Sequence, residues 1–207
     1  MNARKKLAVG VLASGGGTNL QAIIDASESG RLDACVSVLI SDVPGSGAIK
    51  RAERHSIPAF AVPRSEFPSK HAFESRIVEL LKSKEVELVC LAGYMRIVGR
   101  TMLESFPNRI INIHPALLPS FPGLEAQRQA LEHGVKVSGC TVHFVDELTD
   151  HGPVIRQAAV EVMEDDTAET LGKRILEQEH RIYPEAIQLF AERKLTLEGR
   201  RVKIGQV

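Results

Sequence analysis

Leu7-Ala8-Val9-Gly10-Val11-Leu12-Ala13 runs straight into Ser14-Gly15-Gly16-Gly17-Thr18-Asn19 and then Leu20, Ile23 and Ile24; this stretch decides the fold. A short, near-continuous apolar run suits a strand buried on both faces. The glycines mark a tight turn. Apolar residues three and four apart then begin a helix that Gly30 ends. Strand, glycine turn and helix form the opening unit of a parallel α/β sheet.

The same alternation continues along the chain. Cys35–Ser41, Ala59–Val62, Leu88–Ala92 and Arg109–His114 read as strands, the last cut off by Pro115. Ala48–His55, Lys70–Lys82 and Gly123–Gly134 read as helices between them. Val137–Val145 and Val154–Val162 follow each other with no helix between, which predicts an antiparallel pair. Ala168–Glu192 is a long helix in which Pro184 predicts a kink or a new start, and Leu195–Ile204 predicts a hairpin around Glu198-Gly199. The expected fold class is therefore α/β: a mostly parallel, mixed central sheet with helices on both faces. There is no repeat and no linker, so residues 1–207 are expected to form a single domain.

Composition limits the function. Lys plus Arg is 26 and Asp plus Glu is 26, so the formal net charge is zero, which disfavours binding along a nucleic-acid backbone. Hydrophobic residues at 43% and charged residues at 25% exclude disorder, collagen and coiled coil. No apolar run approaches the ~20 residues that span a bilayer. The basic start Met1–Lys6 precedes a run too short and too rich in glycine for a signal core. Cys35, Cys90 and Cys140 each lie in an apolar segment, which predicts reduced, buried thiols and a cytoplasmic setting. None pairs at ligand spacing with another Cys or a His, so no metal site is expected.

A glycine turn between strand and helix can hold an anion on backbone N–H groups and the positive helix end. Thr18 and Asn19 can cap that helix or bond a phosphate oxygen. The turn lacks the Gly-Lys-Ser/Thr ending of a P-loop, and Leu20 replaces the third glycine of a dinucleotide fingerprint, although Asp42 stands where a ribose ligand would. In Ile111-Asn112-Ile113-His114-Pro115, Asn112 and His114 are two apart on a strand and share a face at its carboxyl end. An amide donor beside an imidazole suits a carbonyl oxygen that becomes negatively charged. Such a His needs a carboxylate, and the turn Asp146-Glu147-Leu148-Thr149-Asp150 offers three; spacing alone leaves Asp146, Glu147 and Asp150 open. His143 is a second imidazole leading into that turn. Glu179 shares the inward stripe of the long helix with Leu171, Ile175, Ile182 and Leu189, where an acid needs a partner.

Five segments carry a family resemblance: Ser14-Gly15-Gly16-Gly17-Thr18-Asn19-Leu20-Gln21-Ala22-Ile23, Leu91-Ala92-Gly93-Tyr94-Met95-Arg96-Ile97, Asn112-Ile113-His114-Pro115-Ala116-Leu117-Leu118-Pro119, Val142–Val145 with Asp150–Val154, and Gln178-Glu179-His180-Arg181-Ile182-Tyr183-Pro184. In this order they resemble the phosphoribosylglycinamide formyltransferase family, within the folate-dependent formyltransferase superfamily and its Rossmann-like fold. The resemblance covers all but about the last dozen residues.

It implies Asn112, His114 and Asp150 as the catalytic set, and Gly17, Thr18 and Asn19 as the ribonucleotide phosphate site, with Glu179 on the glycinamide or ribose. Met95, Arg96, Ile97 and Val98, with Asn112, would meet the folate. Lys70 stands where relatives often carry an Arg for the folate's glutamate tail. Residues 1–105 would be the phosphate-binding half and 106–207 the catalytic and folate half. Tyr94 and Thr18 replace a commoner Phe and Ser, and His151 stands where relatives often have a small residue. The implied reaction moves a formyl group from the co-substrate 10-formyltetrahydrofolate to the amine of glycinamide ribonucleotide. No metal, nucleic acid or membrane is involved, and the chain is expected to be a monomer or homodimer. Two alternatives are formyltetrahydrofolate hydrolysis and a non-catalytic nucleotide-binding regulator. The hydrolases of this type carry an extra N-terminal domain, for which a glycine loop at Ser14 is expected to leave no room.

Overall fold

The computed structural model describes residues 6–205; Met1–Lys5 of the basic start lie outside the described residues. The amino-terminal strands are β1 (Leu7–Leu12), β2 (Ala34–Ser41), β3 (Ala59–Ala61) and β4 (Leu88–Leu91), with helices α1 (Thr18–Glu28), α2 (Gly47–Arg54) and α3 (Lys70–Ser83) between them. After α4 (Arg100–Ser105) come β5 (Ile110–His114), α5 (Ala126–Glu132), β6 (Val137–Phe144) and β7 (Val154–Glu161). The long helix α6 (Ala168–Ala191) and the hairpin β8 (Leu195–Glu198) and β9 (Arg201–Ile204) complete the chain.

One nine-stranded sheet runs β3-β2-β1-β4-β5-β6-β7-β9-β8. The pairs from β3 to β5 are parallel. The β5–β6 and β6–β7 pairs are antiparallel, so the expected mixed, mostly parallel sheet is present. The chain winds from β1 towards β3 on one side and from β4 towards β5 on the other. The gap between β1 and β4 is thus the switch point where open α/β sheets bind ligands. Apolar residues of α1, α2, α5 and α6 fill one face of the sheet, and those of α3 and α4 fill the other.

Several local expectations are corrected. Helix α6 continues through Pro184, so no new segment starts there. Tyr183 beside it is fully buried, and its hydroxyl donates to Leu91 O (2.9 Å) and Ile111 O (3.2 Å). These contacts press the helix onto the ends of β4 and β5 and outweigh the one hydrogen bond a proline removes. Cys35 is exposed while Cys90 and Cys140 are buried, because Cys35 is the outward residue beside buried Ala34 at the start of β2. Helix α1 has no side-chain cap; its cap residue is Gly17. Helix α5 begins at Ala126 rather than Gly123, since Gly123 and Glu125 both take positive φ. Helix α4 was not expected, being too short to show a period.

Replacing Tyr183 by Phe should remove about 1–2 kcal/mol of stability, a fall of about 2–8 °C in Tm by thermal melting. An unchanged Tm would show that these carbonyls do not need the hydroxyl.

Candidate active site

Three loops leave the carboxyl ends of β1, β4 and β5 side by side. After β1, Gly17 takes φ 75°, and a Cβ there would stand 2.7 Å from Ala48 Cα, so this turn requires glycine. Gly15 O accepts from Ala48 N (3.0 Å) and Gly16 O from Arg51 Nε (2.9 Å). With those carbonyls turned to α2, planar trans peptides point the N–H groups of Gly16 and Gly17 the other way. Thr18 lines a cavity of about 310 Å³ with Arg31, Arg51 and His180. Burial, then the charge of Arg51, pushes the His180 imidazole down. Arg31, Arg51 and His180 were not read from the sequence; the neighbourhood of His180 to Glu179 was the one available sign.

Asn19 and Glu179 meet across 160 residues, with Asn19 Nδ2 donating to Glu179 Oε2 at 2.7 Å. The partner of this buried acid is an amide rather than a cation. Burial raises the Glu179 carboxyl above its ordinary range, against the opposing effect of the Asn19 bond.

Ser14 ties the β1 loop to the β4 loop. Its hydroxyl accepts from Met95 N (2.9 Å) and donates to Asp42 Oδ1 (2.6 Å), and Asp42 Oδ2 pairs with Arg96 Nε at 2.5 Å. Asp42 is thus committed to Ser14 and Arg96, an arrangement that leaves it a loop tie rather than a ribose ligand. A cavity of about 400 Å³ is lined by Lys70, Met95, Arg96 and Ile97, together with Arg64, Phe73 and Glu74. Met95 and Ile97 are exposed apolar residues at its mouth, and Val98 is buried in the core behind it. Lys70 Nζ lies 3.8 Å from Glu74 Oε1, and Glu74 in turn accepts from Gly99 N at 2.6 Å.

At the end of β5 the period of two places Asn112 and His114 on one face as expected. Asp150, among the three acids of the turn, is the one that reaches them. His114 Nδ1 is 3.2 Å from Asp150 Oδ2, and Asn112 Nδ2 is 3.4 Å from Asp150 Oδ1. Asp146 instead meets Leu148 N and His151. His143, directly across the β5–β6 pair from Asn112, adds its Nε2 at 3.2 Å from Asn112 Nδ2 and 3.6 Å from Asp150 Oδ1. Two backbone groups complete the cluster. Gly123 N donates to Asp150 Oδ2 (2.8 Å), and Phe121 O lies 2.8 Å from His114 Nε2.

These contacts set the proton balance. Burial pushes the Asp150 carboxyl up, but the approach of His143, the hydrogen bond from Gly123 N and the charge of the nearby imidazoles outweigh it, leaving it below the usual range. Burial lowers His114, and this outweighs the upward pull of Phe121 O and Asp150. Asp150 thus pulls His114 towards the charged imidazole, but burial outweighs that pull. With Nε2–H given to Phe121 O, Nδ1 and Asp150 Oδ2 face each other across a gap that one shared proton closes. An imidazolium with a lowered pKa is a readier proton donor.

A family model described as formyl transferase matches residues 6–187. Phosphoribosylglycinamide formyltransferase of Bacillus subtilis (strain 168) is 48% identical over 184 residues, covering 89% of this chain and 93% of that protein. Human trifunctional purine biosynthetic protein adenosine-3 is 43% identical over 188 residues, which span 91% of this chain but 19% of that protein. The crystal structure of glycinamide ribonucleotide transformylase 1 from Symbiobacterium toebii superposes with a TM-score of 0.96 at 57% identity, covering 98% of this chain and 95% of that one.

The raised Glu179 carboxyl gives a pH-dependent prediction. Its charge costs stability above the folded pKa, and the cost vanishes below the unfolded value near 4.5. Glu179→Gln, which stays neutral, should therefore melt higher than the native protein at pH 7.5, with the difference closing as pH falls towards 4.5. A gap that is absent at pH 7.5, or that widens in acid, would contradict a buried, strained charge.

Proposed function

The chain belongs to the formyl transferase family, and from that premise we propose that Asn112, His114 and Asp150 carry out its reaction, the transfer of the formyl group of 10-formyltetrahydrofolate to the amine of glycinamide ribonucleotide. The products are formylglycinamide ribonucleotide and tetrahydrofolate, a step of purine synthesis. The single observation that carries this assignment is the convergence of Asn112, His114 and Asp150 within 3.4 Å contacts at the end of β5.

10-Formyltetrahydrofolate supplies a formyl carbon open to attack by an amine. The cavity lined by Met95, Arg96 and Ile97 takes its ring, and the exposed Lys70 and partly buried Arg64 at the same cavity suit a carboxylate tail. Gly17, Thr18 and Asn19 take the ribonucleotide phosphate at the start of α1, with Arg51 adding charge from the side. Glu179 and Asn19, already bonded to each other, meet the sugar or the glycinamide end. In this reading residues 1–105 hold the phosphate and residues 106–207 hold the chemistry within one domain.

Asn112 and His114 both rest on protein acceptors: Asn112 Nδ2 on His143 and Asp150, His114 Nε2 on Phe121 O. The formyl oxygen takes the place of these acceptors as it gains negative charge on addition of the amine. Donors aimed at developing charge in a site with little water do more there than in solvent. Asp150, kept ionised, accepts the proton of the attacking nitrogen directly or through a water, and that proton passes to the leaving folate nitrogen. The partners are small molecules, acting on a monomer or homodimer. The exposed free thiol of Cys35 suits a reducing, cytoplasmic setting.

Formylation of glycinamide ribonucleotide, followed by the absorbance of the released folate, tests this. Asn112→Ala and His114→Ala should each lower kcat by about 10²–10³ with folded circular dichroism spectra. Native-like turnover in either variant would remove that residue from the chemistry. Folate release at equal rate without the amine would show hydrolysis instead, and binding of both substrates with no release would show a regulator.

A further inference from the structure

The turn Asp146-Glu147-Leu148-Thr149-Asp150-His151-Gly152 contains a residue the proposed chemistry does not use. His151 follows Asp150 directly, and its side chain is 45% exposed. Its Nδ1 lies 2.7 Å from Asp146 Oδ2. Arg200 Nη1 lies 2.7 Å from its Nε2 and 3.2 Å from Nδ1, and Arg200 Nη2 donates to His151 O at 2.8 Å. A guanidinium can only donate. Nε2 is therefore the acceptor, Nδ1 carries the proton, and one neutral tautomer satisfies both neighbours. Asp146 uses its other oxygen on Leu148 N at 3.0 Å, closing the turn on itself.

Arg200 stands beside Gly199 in the tight turn joining β8 and β9, and β9 meets β7 at one register position, Val154 with Arg201. The carboxyl-terminal hairpin thus reaches the segment that carries Asp150. That segment is constrained on both sides. Asp150 takes φ 51°, a left-handed conformation that costs energy in a residue with a side chain. Gly152 is pressed against β6 so closely that a Cβ would stand 1.8 Å from Phe144 O. Arg200 holds both the carbonyl and the ring of His151, the residue between them.

We propose that Arg200 and His151 are positioning residues for the reaction: the chain Arg200–His151–Asp146 latches the turn to the hairpin and so aims the Asp150 carboxylate at His114 and Asn112. The inference rests on the reading of Asp150 as part of the reacting site. The latch lies at the surface, where ion pairs and hydrogen bonds contribute little to stability. Misplacing a reacting group by about an ångström, in contrast, can cost up to about 10² in rate. Loss of the latch should therefore appear in turnover rather than in melting temperature.

The test compares native protein, Arg200→Ala and His151→Asn by steady-state kinetics, thermal melting and amide hydrogen exchange. Arg200→Ala should lower kcat by about 5- to 30-fold, leave KM for both substrates within about twofold, leave Tm unchanged and speed exchange in residues 147–152 alone. His151→Asn keeps a donor for Asp146 and leaves the His151 carbonyl bond to Arg200 in place, so it should retain most of the turnover. Arg200→Ala with native kcat and native exchange overturns the latch while leaving formyl transfer intact. A fall in Tm with kcat and KM changing together overturns it in favour of a plain structural role. Native protein that transfers no formyl group would sink the functional reading itself, and the exchange pattern would still decide whether Arg200 holds the turn.

Discussion

The carboxylate of Asp150 joins two stretches of chain, 110–125 and 137–152. Its Oδ2 takes Gly123 N–H and faces His114, while its Oδ1 faces Asn112 and His143. These two stretches have no reason to meet in sequence. They meet because a half-buried carboxylate needs donors on both oxygens. The same need explains two backbone irregularities. Gly123 and Asp150 both take positive φ, and in this conformation the N–H of one meets the side chain of the other. Charge-assisted hydrogen bonds of this kind are the stronger class, so the strain is outweighed locally.

The sheet supplies the second constraint. Because the chain winds outward in both directions from β1 and β4, the loops after β1, β4 and β5 open on one edge. Tyr183 fixes the ends of β4 and β5 from the α6 side, and the Ser14–Asp42–Arg96 chain fixes the β1 loop to the β4 loop. The glycine turn after β1, the cavity lined by Met95 and Arg96, and the Asn112–His114–Asp150 cluster are thereby held at set separations. This is the geometry that a two-substrate transfer needs, since proximity and orientation of the reactants supply much of the rate.

Much of this was legible in the amino-acid order, and the unread parts have physical reasons. Strands show as apolar runs and helices as spaced apolar residues, so the alternation around the glycine turn and the antiparallel late pair could be read. Asn112 and His114 stood out because two polar residues shared a face of an apolar strand. The choice of Asp150 over Asp146 and Glu147 needed the family resemblance, because the choice depends on a left-handed backbone angle that no local spacing encodes. Pro184 starts no new helix because its neighbour Tyr183 supplies a tertiary anchor that the local rule ignores. Cys35 misled because an apolar run has two ends, and the outward residue of the first pair is not buried. Arg51 and Arg200 were missed for one reason: each meets residues far from it along the chain, Gly16 and His151, and a lone arginine carries no pattern.

The most direct test of the account is the single-turnover rate of formyl transfer by Asp150→Asn, measured with both substrates bound at saturation. The side chain keeps its shape but loses the negative charge that faces His114 and Asn112. A drop of about 10² or more relative to native protein, with both substrates still bound, is the predicted result. A native single-turnover rate in that variant would contradict the claim that this carboxylate organises the chemistry.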